Sequence, residues 1–252
     1  MMTAAAFMIG TAQPAAASTA PAKPLAGYVV GIDPGHNGRN WSNPTFINHK
    51  IWNGREWEAC NTTGTSTNAG YSEAAFNFAV ATYLKRDLRA AGAKVVMTRT
   101  TNNGVGPCVN KRAQILNKAH VDVAIDIHGD GGPSSGRGFT ILRPVADGPN
   151  DKVIKPSFRY AKLLRTSFRK TGMPISDYYG TNGMQNRNDL AGLNLTKVPQ
   201  LLLECGNMRN ATDAKLMTSH AWQKRAAHAI KRAMTHFLKT RSSGSRTGTA
   251  RT

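Results

Sequence analysis

A chain of 252 residues, 40% hydrophobic and 19% charged, is long enough to bury most of its apolar surface in one globular domain. Lys and Arg number 33 against 14 Asp and Glu, a formal net charge of +19. Such a field favours encounter with polyanions, either nucleic acid or anionic cell-wall polymers. No helix-turn-helix, zinc-finger or aromatic RNA-binding signature accompanies it, so nucleic acid is not the expected partner. No apolar run approaches the ~20 residues that a membrane span needs.

Residues 1–24 are Ala-rich and apolar, running into Ala15, Ala16 and Ala17. They read either as the end of a secretory signal with an A-x-A cleavage site or as a disordered leader, and secretion to the periplasm or cell wall is the expectation. Residues 28–32 form a strand pattern. Over 72–91, Phe76, Val80, Tyr83, Leu84 and Leu88 recur at helical spacing, and Gly92 follows as a C′ glycine. Strand-like 94–98 and a short helix at 111–119 come next. In 121–127, Val121, Val123, Ile125 and Ile127 are expected on one face and Asp122, Ala124 and Asp126 on the other. A strand at 138–142, an amphipathic helix at 158–170, a buried strand at 200–203 and one long helix at 212–239 complete the series. The alternation predicts a single-domain α/β sandwich over 25–239, with a mainly parallel or mixed sheet flanked by helices. The Ser/Gly/Thr-rich tail 240–252 is expected to be disordered.

Three long loops, 37–71, 129–151 and 172–198, interrupt the pattern. The first holds Trp41, Trp52 and Trp57, either a satellite core or a wall or lid for a glycan or peptide substrate. Cys60 and Cys108 lie in loop-like Gly/Asn/Thr-rich stretches and are expected to pair in an exported protein. Cys205 ends an apolar strand pattern and reads as a buried free thiol.

Chemistry-bearing residues gather at strand ends. Asp33-Pro34-Gly35-His36 is a tight turn after the first strand, His128 closes the alternating strand on its polar side with Asp126, and Glu204 follows three leucines. A charged residue directly after an apolar strand is costly unless paired or metal-bound, and open α/β sheets bind ligands beyond the carboxyl ends of their strands. Glu73 opens a helix at the start of its inward stripe, so it is either an N-terminal carboxylate favoured by the helix dipole or a core-facing ligand. Two histidines, a carboxylate and an open position make a catalytic zinc site. The separations of 37, 55 and 76 residues carry little signal by themselves, and no HExxH motif is present.

The segments VVGIDPGHNG, SEAAFNFAVATYLKRDLRAAGAKVVMTRT, AHVDVAIDIHGDGG and VPQLLLECGNMRN, in this order across 27–238, resemble the type-3 N-acetylmuramoyl-L-alanine amidase family, nearest its exported actinobacterial and mycobacterial members. The resemblance implies Zn2+ on His36, Glu73 and His128. It implies a catalytic glutamate at Glu204, opening the E-x-G-x-x-x-N pattern with Gly206 and Asn210. Asp126-Ile127-His128 stands where relatives often have Ser-Leu-His, and Asn37-Gly38 where they have Gly-Gly; neither change removes a ligand. Asp33 and Asp126 are either orienting partners of the histidines or plain turn and strand-end residues. Arg187 is a candidate partner for a stem-peptide carboxylate.

The function so implied is zinc-dependent cleavage of the amide between N-acetylmuramic acid and L-alanine, on peptidoglycan or muramyl peptides, by a monomer. Many relatives carry a separate wall-binding domain beside the catalytic unit; none is expected here, so wall targeting is expected to rest on the cleft and on anionic polymers held by the basic surface. The rivals are another zinc peptidase or carboxypeptidase of the wall, and a non-catalytic basic wall- or nucleic-acid-binding protein; a binding module has no need of the four-residue set.

Overall fold

A computed structural model describes residues 23–242; the leader up to 22 and the tail from 243 lie outside the described residues. In chain order the elements are β1 (Val29–Pro34), α1 (Pro44–Asn48), β2 (Lys50–Trp52), β3 (Trp57–Ala59), α2 (Glu73–Ala90), β4 (Lys94–Met97), α3 (Val109–Lys118), β5 (Val123–Asp130), β6 (Thr140–Pro144), α4 (Asp151–Phe168), β7 (Met184–Arg187), α5 (Ala191–Leu195), β8 (Gln200–Asn207), α6 (Ala211–Met217) and α7 (His220–Ser242). Six strands form a mixed sheet in the order β4-β1-β5-β8-β6-β7, and β2 and β3 form a separate antiparallel hairpin. β4, β1, β5 and β8 run parallel, while β6 enters antiparallel to β8 and carries β7 parallel to itself.

The sheet separates two apolar layers. On one face α2, α4 and α7 cover Val30, Ile32, Val123, Ile125, Ile127, Leu201 and Leu203, around the fully buried Trp222. On the other, Leu116 of α3 packs on Ala124, and Leu193 of α5 packs on Leu142 and Leu202. The period-2 alternation of β5 and β8 follows from this, because successive side chains of a strand point to opposite faces. α2 forms because Phe76, Val80, Leu84 and Leu88 fall on one stripe. Ser72 caps it, accepting from the Ala75 amide at 3.3 Å, and Gly92 ends it with φ +97°.

Several sequence expectations change. Val121 precedes β5 and packs with Leu116 and Ala124, opposite to the Val123 face, because it lies outside the strand, where the period-2 alternation does not hold. The expected single helix over 212–239 is two: the chain breaks at Thr218–Ser219, Ser219 Oγ accepts from the Trp222 amide at 3.5 Å, and Gln223 Nε2 donates to the freed Met217 carbonyl at 2.8 Å. α7 then continues to Ser242, into the first residues of the expected tail. α4 begins at Asp151 rather than 158, with Pro156 in its second turn, because Val153 and Ser157 extend the same buried stripe as Tyr160 and Leu164. The long loops contain α1, β2, β3, β7 and α5, all of three to five residues, too short to show a period. The satellite core under the first loop is Ile51, Cys60 and Ala191; Trp41, Trp52 and Trp57 stand outside it, 74%, 45% and 65% exposed. Cys60 and Cys108 are joined, with Cα atoms 4.5 Å apart, and Cys205 is a buried free thiol.

Candidate metal centre and active site

Register brings the candidate residues together. Pro34 pairs with Ile127, so the turn after β1 carries His36 beside the last residues of β5. His128 pairs directly with Glu204 across β5 and β8. Both strands run on to Asp130 and Asn207, so these two residues are held inside a ladder rather than following its end, as the sequence pattern suggested. A register shift between His128 and Asp130 leaves an extra residue on β8, the kind of bulge that re-aims side chains beside a site. The N-terminus of α2 sits over the same edge and supplies Glu73.

Glu73 Oε1 lies 2.8 Å from His128 Nδ1 and 3.2 Å from His36 Nε2. The carboxylate is buried, and the imidazoles are nearly so, with 11% and 15% of their side chains exposed. Both carboxylate oxygens are fixed: Oε2 accepts from the Thr65 amide at 2.9 Å and Oε1 from the Gly129 amide at 3.2 Å. Each imidazole has a protein oxygen close to its other nitrogen. His36 Nδ1 lies 3.1 Å from the Thr62 carbonyl, and His128 Nε2 lies 3.2 Å from Asp126 Oδ1. With the proton on those two outer nitrogens, His36 Nε2 and His128 Nδ1 would face Glu73 as the lone-pair donors a metal requires. The three ligand atoms lie within 4.8 Å of one another. Tetrahedral zinc with bonds of about 2.0–2.2 Å sets its donors roughly 3.3–3.6 Å apart, so the set fits the ion with small adjustments.

The backbone around the triad is shaped for this approach. His36 has φ +58°, a left-handed conformation uncommon outside glycine. A Cβ at Gly35 would come within 2.2 Å of His128 Nε2, and one at Gly64 within 2.7 Å of Glu73 Oε2. Two buried arginines clamp the turn carbonyls. Arg99 donates to Pro34 and Gly35 at 2.8 and 3.2 Å; Arg112 donates to Pro34 and His36 at 2.8 and 2.7 Å. Burial, with Arg112 adjacent, pushes Arg99 down to about 9, which still leaves it charged at neutral pH. Sequence reasoning missed both arginines. The available signal was Arg112 on the apolar stripe of α3 beside Ala113 and Leu116, where a cation needs partners.

Electrostatics bind the group together. Burial works to raise the Glu73 carboxyl, but His36 and His128 outweigh it and hold it well below the usual range. For His128 burial works downward, and the carboxylates of Asp126 and Glu73 raise it well above the usual imidazole value. Glu204 behaves in the opposite way. Burial pushes its carboxyl well up, against partial relief from His128. Its Oε2 is enclosed and accepts no hydrogen bond among the described residues.

The remaining expected residues sort by contact. Asp126 reaches His128. Asp33 does not reach a histidine; it accepts from Thr98 Oγ1 at 2.5 Å and Arg112 Nη1 at 2.6 Å, and so braces the turn through Arg112. Arg187 shares an open cleft with His36, Glu73, His128 and Glu204, but its donors are engaged by Asp189 at 2.5 and 2.6 Å and by Tyr179 Oη at 2.7 Å. The disulfide ties the segment after β3 to the start of α3, two residues before Thr62.

An α/β sheet that gathers beside one open cleft a buried His–Glu–His cluster and a carboxylate without an ion-pair partner among the described residues has the groups that a hydrolase needs. Residues 30–236 match the N-acetylmuramoyl-L-alanine amidase family Amidase_3, and the chain belongs to it. As a member it is an enzyme that cleaves the muramoyl–L-alanine amide of peptidoglycan. It is 39% identical over 225 residues to N-acetylmuramoyl-L-alanine amidase Rv3717 of Mycobacterium tuberculosis, covering 89% of this chain and 91% of that one. Among solved structures it is similar to the amidase Ami1 of Mycobacterium smegmatis, with TM-score 0.81, 37% identity and coverage of 86% and 99%. The apo form of Ami1 from Mycobacterium abscessus matches with TM-score 0.80, 38% identity and coverage of 85% and 100%.

Proposed function

We propose that the amidase is zinc-dependent, with His36, Glu73 and His128 holding the ion and Glu204 acting as general base and then general acid. The observation that carries the reading is the contrast between the two glutamates. Glu73 is bonded on both oxygens and faces both imidazoles, while Glu204, opposite His128 in register, keeps an enclosed carboxylate oxygen without a partner. When bound, zinc supplies Lewis acidity to the attacking water and to the lactyl carbonyl. Glu204, raised by burial, is suited to take a proton from that water. It then passes the proton to the alanine nitrogen as the C–N bond breaks, releasing the stem peptide and N-acetylmuramic acid. The Asp126 carboxylate, 3.2 Å from His128 Nε2, favours a proton on that nitrogen and so the tautomer that presents Nδ1. Arg187 stands in the cleft wall to receive a stem-peptide carboxylate, in exchange for or beside Asp189.

The working compartment in this reading is outside the membrane. A loop–loop disulfide supports it, as does family membership. Among the described residues no helix is long and apolar enough to cross a membrane. The basic surface is assigned to anionic cell-wall polymers. Metal content of purified protein, with mass spectrometry of its products on a defined muramyl peptide, tests the proposal. One zinc per chain and a free, intact stem peptide are expected. Cleavage within the stem would turn the reading to a zinc peptidase of the wall, and turnover unaffected by chelation would remove the metal from it.

A further inference from the structure

The far end of the α2–α7 layer carries a groove that the hydrolytic chemistry does not use. Arg86 of α2, Lys170 from the turn after α4, and Lys224, Arg225, Lys231 and Arg232 of α7 line it, with the small Ala90 among them. All six cations are exposed except the half-buried Lys231. The lining holds a single carboxylate, Asp87. It is bonded by Arg86 at 2.9 Å and faced by His228 at 4.0 Å. Arg232 donates to Ser167, and the Lys224 ammonium stands 5.5 Å from the Tyr83 ring centre. Among the described residues no carboxylate lies within salt-bridge distance of Lys170, Arg225 or Lys231.

Helical spacing explains the concentration. Residues 224, 228 and 231 share one face of α7, and 225 and 232 run beside them. The row is about 12 Å long at 1.5 Å per residue. Ala226, Ala227 and Ile230 bury the opposite side of the helix in the core, so the row cannot turn away. Like charges held this close repel, and a multivalent anion relieves the repulsion along the whole row, where one carboxylate relieves only one end. Arg86 to Ala90 lie 13 to 17 residues beyond Glu73 on the same helix, roughly 20–25 Å from the metal ligands. An occupant of the groove therefore leaves the cleft open.

We infer that this groove is a binding site for a phosphodiester-linked anionic polymer of the cell wall, separate from the catalytic cleft. The occupant rests on the reading of the protein as a wall enzyme. The lining also argues against nucleic acid: among the described residues the one phenol ring beside the cations, the half-buried Tyr83, is already faced by Arg86 and Lys224, both 5.5 Å from its centre, which leaves it no free face on which bases stack.

The test uses the whole chain and poly(glycerol phosphate) of defined length. Binding is expected to weaken tenfold or more as NaCl rises from about 50 to about 200 mM, as counterion release requires. The variant Lys224→Gln/Arg225→Gln/Lys231→Gln is expected to bind at least about tenfold more weakly at the lower salt. A control variant of the same net charge, Lys152→Gln/Lys155→Gln/Lys215→Gln, altered at exposed positions outside the groove, should lose less than about threefold. Both should cleave a soluble muramyl peptide within about twofold of the parent, which also reports that they fold. Unchanged binding in the groove variant overturns the site, and equal losses in the two variants reduce it to net charge. Tighter binding to duplex DNA or to anionic lipid vesicles, at equal phosphate concentration, overturns the proposed occupant. A failure of zinc-dependent hydrolysis would strike the active-site reading alone, because binding is read without turnover.

Discussion

Replacing Glu204 with glutamine separates a proton-transfer role from a structural one. Glutamine keeps the shape and can hydrogen-bond a water, but it cannot accept a proton. General acid–base groups contribute roughly two to four orders of magnitude, so hydrolysis should fall by that factor, or about 3–5 kcal/mol of barrier at 1.36 kcal/mol per tenfold. The structural alternative is a carboxylate paired with an arginine, whose removal lowers stability. No ion pair to Glu204 exists among the described residues, and Arg187 in the same cleft is engaged by Asp189. The substitution therefore breaks no salt bridge. The Glu204 carboxyl is raised in the folded state, chiefly by burial. The sign follows: its ionisation costs nothing below the unfolded carboxylate range and costs the fold progressively as pH rises towards the raised folded value. The metal-free glutamine variant should thus melt no lower than the parent at neutral pH, and higher relative to it as pH rises through that window. Zinc content, melting temperature and muramyl-peptide turnover are measured on one preparation. A stable, zinc-loaded and fully active variant refutes the base assignment; a drop in melting temperature that accounts for the lost turnover refutes the structural reasoning.

His36→Ala, Glu73→Ala and His128→Ala should each lose bound zinc and activity while the fold survives; one zinc per chain retained by any of them removes that residue from the ligand set. Arg112→Met strips Asp33 of a buried partner at 2.6 Å and should cost about 3–5 kcal/mol in urea unfolding; a loss below about 1 kcal/mol would show that the turn is not held by this pair. Titration of denatured, unreduced protein should find one thiol, that of Cys205. Cys60→Ser/Cys108→Ser should lose up to about 4 kcal/mol, since the bridge closes a separation of 48 residues. Three thiols in protein from an oxidising compartment would contradict the pairing.

The sequence by itself carried the layers and the strand ends. Val123, Ile125 and Ile127 alternate with Ala124, Asp126 and His128, and that period alone assigns His128 to the side away from the α2–α7 core. Apolar periodicity survives translation into structure because burial acts on every residue of a strand or helix at once. The elements it missed are three to five residues long, too short for a period to emerge, and the break between α6 and α7 depends on a Ser219 cap and a Gln223 side chain rather than on hydrophobicity. What only the tertiary structure decided is which polar groups meet. Asp33 and Asp126 look equivalent at the ends of neighbouring strands, and they pair in register. Yet one is taken by Arg112 and the other by His128, because α3 lays its guanidinium against β1. Glu73 is a helix-start carboxylate by local chemistry and a double histidine partner only once α2 crosses the sheet edge. Glu204 follows three leucines in the chain, but its missing partner is a property of everything packed around it. Periodicity reports which face is dry; a charge is read only through its neighbours, and those come from elements far apart in the chain.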